Sequence, residues 1–164
     1  MTYTKRYTSP LGMILLAADG TGLTGLWFEG SKYFAAELPK EHTEQDTPVL
    51  LETTQWLDVY FAGKEPDFTP LLHLIGSDFR QAVWNILLSI PYGRTITYGQ
   101  IAKQLAKNTG IDKMSAQAVG GAVGHNPISI IVPCHRVVGT NGSLTGYAGG
   151  LDRKIKLLEL EKAD

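Results

Sequence analysis

Thr97-Tyr98-Gly99-Gln100-Ile101-Ala102-Lys103-Gln104-Leu105-Ala106-Lys107-Asn108-Thr109-Gly110 is the stretch whose reading sets the fold. Thr97 with Gln100 three residues later is a capping box, in which each side chain serves the other residue's backbone N–H. A helix starts there and runs to about Lys107, and Asn108-Thr109-Gly110 ends it. A second short helix is expected beyond, capped by Asp112 and ending near Gly124-His125-Asn126-Pro127. Two short helices around a glycine-containing turn make a helix-turn-helix. The second helix carries Ala116, Gln117, Ala118, Gly120, Gly121, Ala122 and Gly124. Glycine inside a helix costs about 1 kcal/mol relative to alanine. So thin a helix either packs tightly on a neighbour or lets a nucleic-acid groove close on its backbone, and the sequence leaves both open.

Upstream, Ser77 caps a helix with Phe79, Val83, Trp84, Leu87 and Leu88 on one side, which must stop before Pro91-Tyr92-Gly93. Residues 62–76, with Pro66 and Pro70, read as a connector. Before it the texture changes. Tyr3 and Tyr7 alternate with polar residues, and apolar runs at 13–18 and 23–28 flank Asp19-Gly20-Thr21-Gly22, a hairpin signal. A helix follows over 48–61, with Pro48 in its first turn and Val49, Trp56, Leu57 and Tyr60 at helical spacing. The fold class is therefore α+β. A small α/β layer over residues 1–72 precedes a mostly α-helical winged helix-turn-helix domain over 73–164. No catalytic constellation is visible in the first part.

Downstream, Ile130-Ile131-Val132 reads as a buried strand that delivers Pro133-Cys134-His135-Arg136. Cys134 is the one cysteine of the chain. A thiol becomes a nucleophile only as thiolate, which cationic or proton-accepting neighbours favour. By composition alone, a lone cysteine is more often a small buried hydrophobe. Thr140-Asn141-Gly142-Ser143 is a further turn, leading to Gly146-Tyr147-Ala148-Gly149-Gly150, a glycine-flanked tyrosine fit to wall a pocket. The last helix, 152–162, sets Leu151, Ile155 and Leu158 on one face. Glu161 falls near its end, where the helix dipole disfavours a carboxylate.

Hydrophobic residues at 43% and charged residues at 19% describe an ordinary globular chain. A single cysteine fits a reducing compartment, and no apolar run approaches a membrane span, so a cytoplasmic protein is expected. His42 and His73 lack cysteine partners, so no metal site is expected. The net charge of -1 hides an asymmetry: residues 1–72 hold 5 basic and 10 acidic side chains, and residues 73–164 hold 10 and 6. The second part is thus the one suited to face a polyanion.

Together, VPCHRVVG, PYGRTITYGQIA, AVGGAVGHNP and TGYAGG resemble the methylated-DNA–protein-cysteine methyltransferases, or O6-alkylguanine-DNA alkyltransferases. Ser9-Pro10-Leu11-Gly12 and the hairpin carry the likeness into the first part, which the resemblance makes ribonuclease H-like. The resemblance implies DNA repair. An alkyl group leaves O6 of guanine (less readily O4 of thymine) in duplex DNA and passes irreversibly to Cys134, once per molecule, without a cofactor. It makes His135 the base that acts through a bound water, Glu161 the carboxylate that orients it, and Asn126 the brace of the active-site turn. Tyr98 would help rotate the nucleotide out and protonate the departing oxygen. Val132, Pro133, Tyr147, Ala148 and Gly149 would line the pocket of the flipped base. Thr97, Tyr98, Ala116, Gln117, Gly120, Gly121 and Arg136 form the DNA-facing set, although Arg136 is better suited to tying the site together than to touching substrate. Gln117 stands where the family inserts an arginine into the vacated stack, so a weaker electrostatic hold and slower flipping are expected. A monomer is expected. A non-reactive binder of alkylated DNA would lack the cysteine, and a winged-helix regulator would leave Glu161 and Tyr147 without a purpose.

Overall fold

A computed structural model describes residues 1–111 and 113–162. Three strands, β1 (Tyr3–Ser9), β2 (Gly12–Ala18) and β3 (Leu23–Phe28), run antiparallel, and a short β4 (Thr43–Glu44) pairs parallel to β1, giving the order β3-β2-β1-β4. The Asp19 carboxylate accepts from the N–H groups of Thr21 (2.8 Å) and Gly22 (3.1 Å), which bends the chain into the expected hairpin. Ile14, Leu16, Leu26 and Phe28 are fully buried and share one core with Leu50, Leu57 and Tyr60 of helix α1 (Pro48–Phe61). Thr47 caps that helix by accepting from Leu50 N–H, with Pro48 in its first turn.

The outer edge of β3 is covered by two later segments. Leu23 exchanges backbone bonds with Leu71 and His73 of the connector (2.8 and 2.7 Å). Leu26 does the same with Pro127 and Ser129 (2.9 and 3.0 Å). A strand edge left open invites pairing with another chain. Here it seats the turn that leads to Cys134.

Helix α2 (Asp78–Leu88) is capped by Ser77 as expected and buries Val83, Trp84, Ile86 and Leu87. Leu88, grouped with that face by spacing, is instead exposed. Trp84 donates its indole N–H to Ala122 O (2.9 Å), locking α2 onto helix α4 (Ala116–Gly124). Helix α3 (Tyr98–Thr109) has the full capping box at Thr97 and Gln100 and ends on Gly110 in the left-handed region (φ 72°). Asp112, the expected cap of α4, lies outside the described residues. Ser115 performs the capping, accepting from Ala118 N–H at 3.2 Å. Strand β5 (Ile96–Thr97) pairs parallel with β6 (Val137–Val138), joining the start of α3 to the segment after Arg136.

Two further expectations are corrected. Residues 130–132 are buried but form turns, not a strand. Ile130 adopts φ 70°, Val132 N–H donates to Ile128 O (3.1 Å), and Cys134 N–H donates to Val132 O (2.8 Å). The Asn126 side chain supplies the bonds that a sheet partner would have made. The inward face of helix α5 (Leu151–Lys162) is not Leu151, Ile155 and Leu158 but Lys154, Leu157 and Glu161. Leu151 and Ile155 are exposed. Charged groups turn inward there because each finds several buried partners, which offset part of the desolvation cost.

Candidate active site

Cys134 opens a 3-10 turn, Cys134–Arg136, at the floor of a cavity of about 370 Å³. The turn places three consecutive side chains in three environments. Cys134 faces the cavity and is 5% exposed. His135 is fully buried and points to α5, and Arg136 is buried beside the end of α2.

Glu161 is the hub. Its Oε2 accepts from His135 Nε2 (2.6 Å), the Tyr60 hydroxyl (2.6 Å) and Arg136 Nη2 (3.1 Å). Its Oε1 accepts from Arg136 Nε (2.8 Å) and Gly93 N–H (3.1 Å). Burial alone would raise its pKa, but the hydrogen bonds from His135 and Arg136 and the guanidinium charge prevail and hold it down to about 2. Burial pushes His135 below its ordinary value, so the imidazole is neutral at neutral pH. Facing an ionised carboxylate, its proton sits on Nε2. Nδ1 is then a bare lone pair, and it is buried with no hydrogen-bond partner among the described residues. That is the state of a general base.

Burial pushes the Cys134 thiol up, against the opposing pull of the Asn126 amide and the Lys154 charge. The resting group is a thiol that needs a base. Asn126 donates Nδ2–H to Val132 O (2.7 Å) and accepts from Ile128 N–H (3.0 Å), bridging the turn beneath the sulfur. Lys154 is fully buried, and its Nζ donates to Val137 O (2.5 Å), Thr145 O (3.0 Å) and Gly146 O (3.2 Å). It fixes the loop that carries Tyr147. The Tyr147 ring lies so close to Gly149 that an added Cβ would fall 2.6 Å from it. Tyr98 crosses the cavity and donates weakly to Thr145 O (3.3 Å). Burial and the nearby sulfur raise its pKa, so it keeps its proton.

Of the residues named from sequence, Cys134, Tyr98, Gly120, Gly121, Tyr147 and Ala148 share the cavity wall, whereas Val132, Pro133 and Gly149 do not. Val132 and Pro133 lie buried in the turn next to Cys134, and Gly149 makes room for Tyr147. Ala116 and Gln117 are exposed on the first turn of α4, and half-buried Thr97 is occupied as the cap of α3. Arg136 is buried. All three of its guanidinium nitrogens are engaged with Glu161 and Ile90 O.

The sequence reading missed Tyr60, Gly93 and Lys154, and also Lys32 and Tyr33, which reach the cavity from the first part of the chain. For Lys154 a signal existed, because it lies two helical turns before Glu161 and so on the same face. The others are joined only by the tertiary fold.

Residues 78–163 match the family described as 6-O-methylguanine DNA methyltransferase, DNA binding domain, and residues 2–74 match its ribonuclease-like domain. The methylated-DNA–protein-cysteine methyltransferase of Methanosarcina acetivorans is 48% identical over 97% of each chain. That of Mycobacterium tuberculosis H37Rv is 45% identical over 99% of this chain and 94% of its own. The crystal structure of Mycobacterium tuberculosis OGT in complex with DNA superposes with a TM-score of 0.84 at 44% identity, covering 98% of this chain and 93% of that one. With both segments matched and the sole cysteine set against an oriented imidazole, the chain belongs to the 6-O-methylguanine DNA methyltransferase family.

Proposed function

We propose that this protein repairs DNA by moving the alkyl group of O6-alkylguanine in a duplex onto Cys134, once per molecule. The observation that carries the reading is the bare Nδ1 of a neutral His135, held by Glu161 beside the chain's one cysteine at the floor of a cavity. The lesion lies inside the base stack, so the nucleotide must rotate out, at a cost of a few kcal/mol. Gly121 and Gly124 of α4 have nothing within 4 Å of where a Cβ would stand, so their face is open rather than packed. A face so slim suits the minor groove, about 6 Å wide. Gln117 occupies the exposed first turn of that helix, where it would fill the vacated stack without adding charge.

In the pocket, His135 Nδ1 takes the thiol proton through a water. Sγ attacks the alkyl carbon, the carbon–O6 bond breaks, and its electron pair goes to guanine. Tyr98 gives its proton to the departing oxygen and is re-protonated from the imidazolium. The thioether has no leaving group comparable to the one it displaced, so the protein ends alkylated. We assign the boundary between the base-flipping domain and the N-terminal layer to 72/73. Among the described residues no helix is long and apolar enough to cross a membrane, and we place the protein in the cytoplasm as a monomer.

Intact mass after incubation with an O6-methylguanine duplex tests the reading. A gain of one methylene on the peptide bearing Cys134, absent from Cys134→Ser, is the expected result. Tight lesion binding without an adduct would make this a recognition protein instead.

A further inference from the structure

The cavity above Cys134 has a wall from the N-terminal part of the chain. Residues 30–38 leave β3 in a series of tight turns, with Ser31 N–H on Phe28 O, Phe34 N–H on Ser31 O and Ala36 N–H on Tyr33 O. Lys32 N–H donates to Ala148 O at 2.8 Å, which staples the segment to the strip carrying Tyr147. Tyr33 then lays its ring on the His125 imidazole, centroids 4.0 Å apart and 26° from parallel. Tyr33 and Ala35 hold φ of 64° and 53°. Such conformations cost a non-glycine residue about 1–3 kcal/mol, so they persist only where the surroundings enforce them. Behind the segment lies a second cavity of about 110 Å³, bordered by Trp27, Glu37, Arg80 and Trp84. Lys32, Tyr33 and His125 line both spaces. The segment is a thin partition, pinned at Lys32 and weighted by one aromatic ring.

We propose that Tyr33, stacked on His125, is a specificity-determining wall of the acceptor pocket that limits the size of the O6 substituent brought to Cys134. This rests on the alkyl-transfer reading above. A methyl group passes under the ring. A benzyl-sized group requires the ring to leave His125 and the partition to recede. Tyr33 makes no bond to the reacting atoms and acts by occupying volume.

The test is the ratio of single-turnover rates from duplexes carrying O6-benzylguanine and O6-methylguanine, measured for the parent, Tyr33→Ala and Tyr33→Phe. Tyr33→Ala raises the benzyl-to-methyl ratio by about fivefold or more, whereas Tyr33→Phe retains the parent ratio. A ratio for Tyr33→Ala within about twofold of the parent overturns the proposal. General loss of fold lowers both rates and leaves the ratio where it was. Labelling of Cys134 in DNA-free protein by iodoacetamide and by N-benzyl iodoacetamide gives a second ratio that needs no DNA chemistry. It rises in Tyr33→Ala if the wall is real and stays level if it is not. Should the parent transfer no alkyl group from either duplex, the repair reading fails, and the labelling ratio still decides the fate of the wall.

Discussion

Glu161 accepts hydrogen bonds from Tyr60, Gly93, His135 and Arg136, and its charge decides which imidazole nitrogen is free. A glutamine there presents an N–H as well as an oxygen and no longer fixes the proton on Nε2. Glu161→Gln lowers the single-turnover rate of methyl transfer by about 10²-fold or more while lesion binding changes little. A rate within a few-fold of the parent in a quench-flow assay would remove His135 from the chemistry. Cys134, His135 and Asn126 stood in short motifs, and Glu161 stood out as a carboxylate near the end of the last helix, so the sequence could single them out. Arg136 was only half legible, since a guanidinium beside a nucleophile reads equally as a substrate contact or a strut. Lys154 shared the helix face of Glu161 in the sequence, but nothing local reveals the three backbone carbonyls that converge on its ammonium.

Among the elements, α4 answers the packing half of the question that its composition left open. Its glycines do not serve tight packing: Gly121 and Gly124 face empty space, and a Cβ on Gly120 would meet the Tyr98 ring at an ordinary 3.9 Å. Gly121→Leu therefore leaves the melting temperature unchanged or raised, because leucine is the better helix former by about 0.8 kcal/mol. The same change weakens duplex binding about tenfold or more in a fluorescence-anisotropy titration, since the added side chain meets the groove wall. Full affinity in that variant would take α4 out of the groove. The caps of α1, α2 and α3 were readable because capping is a local event. The 130–132 run misled because β-branched residues in sequence look like a strand. Only Asn126, hydrogen-bonding Val132 O and Ile128 N–H, reveals that a side chain has taken the place of the ladder.

On the scale of the whole molecule, the N-terminal sheet and the site are one construction. The β3 edge holds Pro127 and Ser129, Tyr60 of α1 reaches Glu161, and Arg153 donates to Leu11 O and Glu29 O (3.0 and 3.1 Å). The buried His135–Glu161 pair makes global stability depend on pH. The unfolded imidazole binds a proton near its ordinary 6.5 while the buried one resists, so stability starts to fall as the pH drops below that value. Glu161 is ionised above about 2 when folded, against 4.5 ordinarily, and its contribution is complete above 4.5 and lost as the pH falls toward 2. That contribution is on the order of 3 kcal/mol. Urea midpoints therefore decline from about pH 6.5 downward, and the decline between about pH 4.5 and 3 is shallower in Glu161→Gln. A parent midpoint flat across that range would contradict the assigned ionisation. The two-part layout was legible from composition and turns. The traffic between the parts was not, because it runs through bonds between residues as far apart as 142 positions.

The carboxylate that arms the histidine lies 26 residues beyond it, on the inward face of the final helix. On a ribosome the thiol and imidazole therefore emerge together, well ahead of the group that fixes the tautomer. Until α5 is made and docked, His135 lacks the acceptor that fixes its tautomer, and Cys134 has no oriented base beside it. The base is thus completed last, by the same closing of the chain that brings Glu161 to His135 and Arg136.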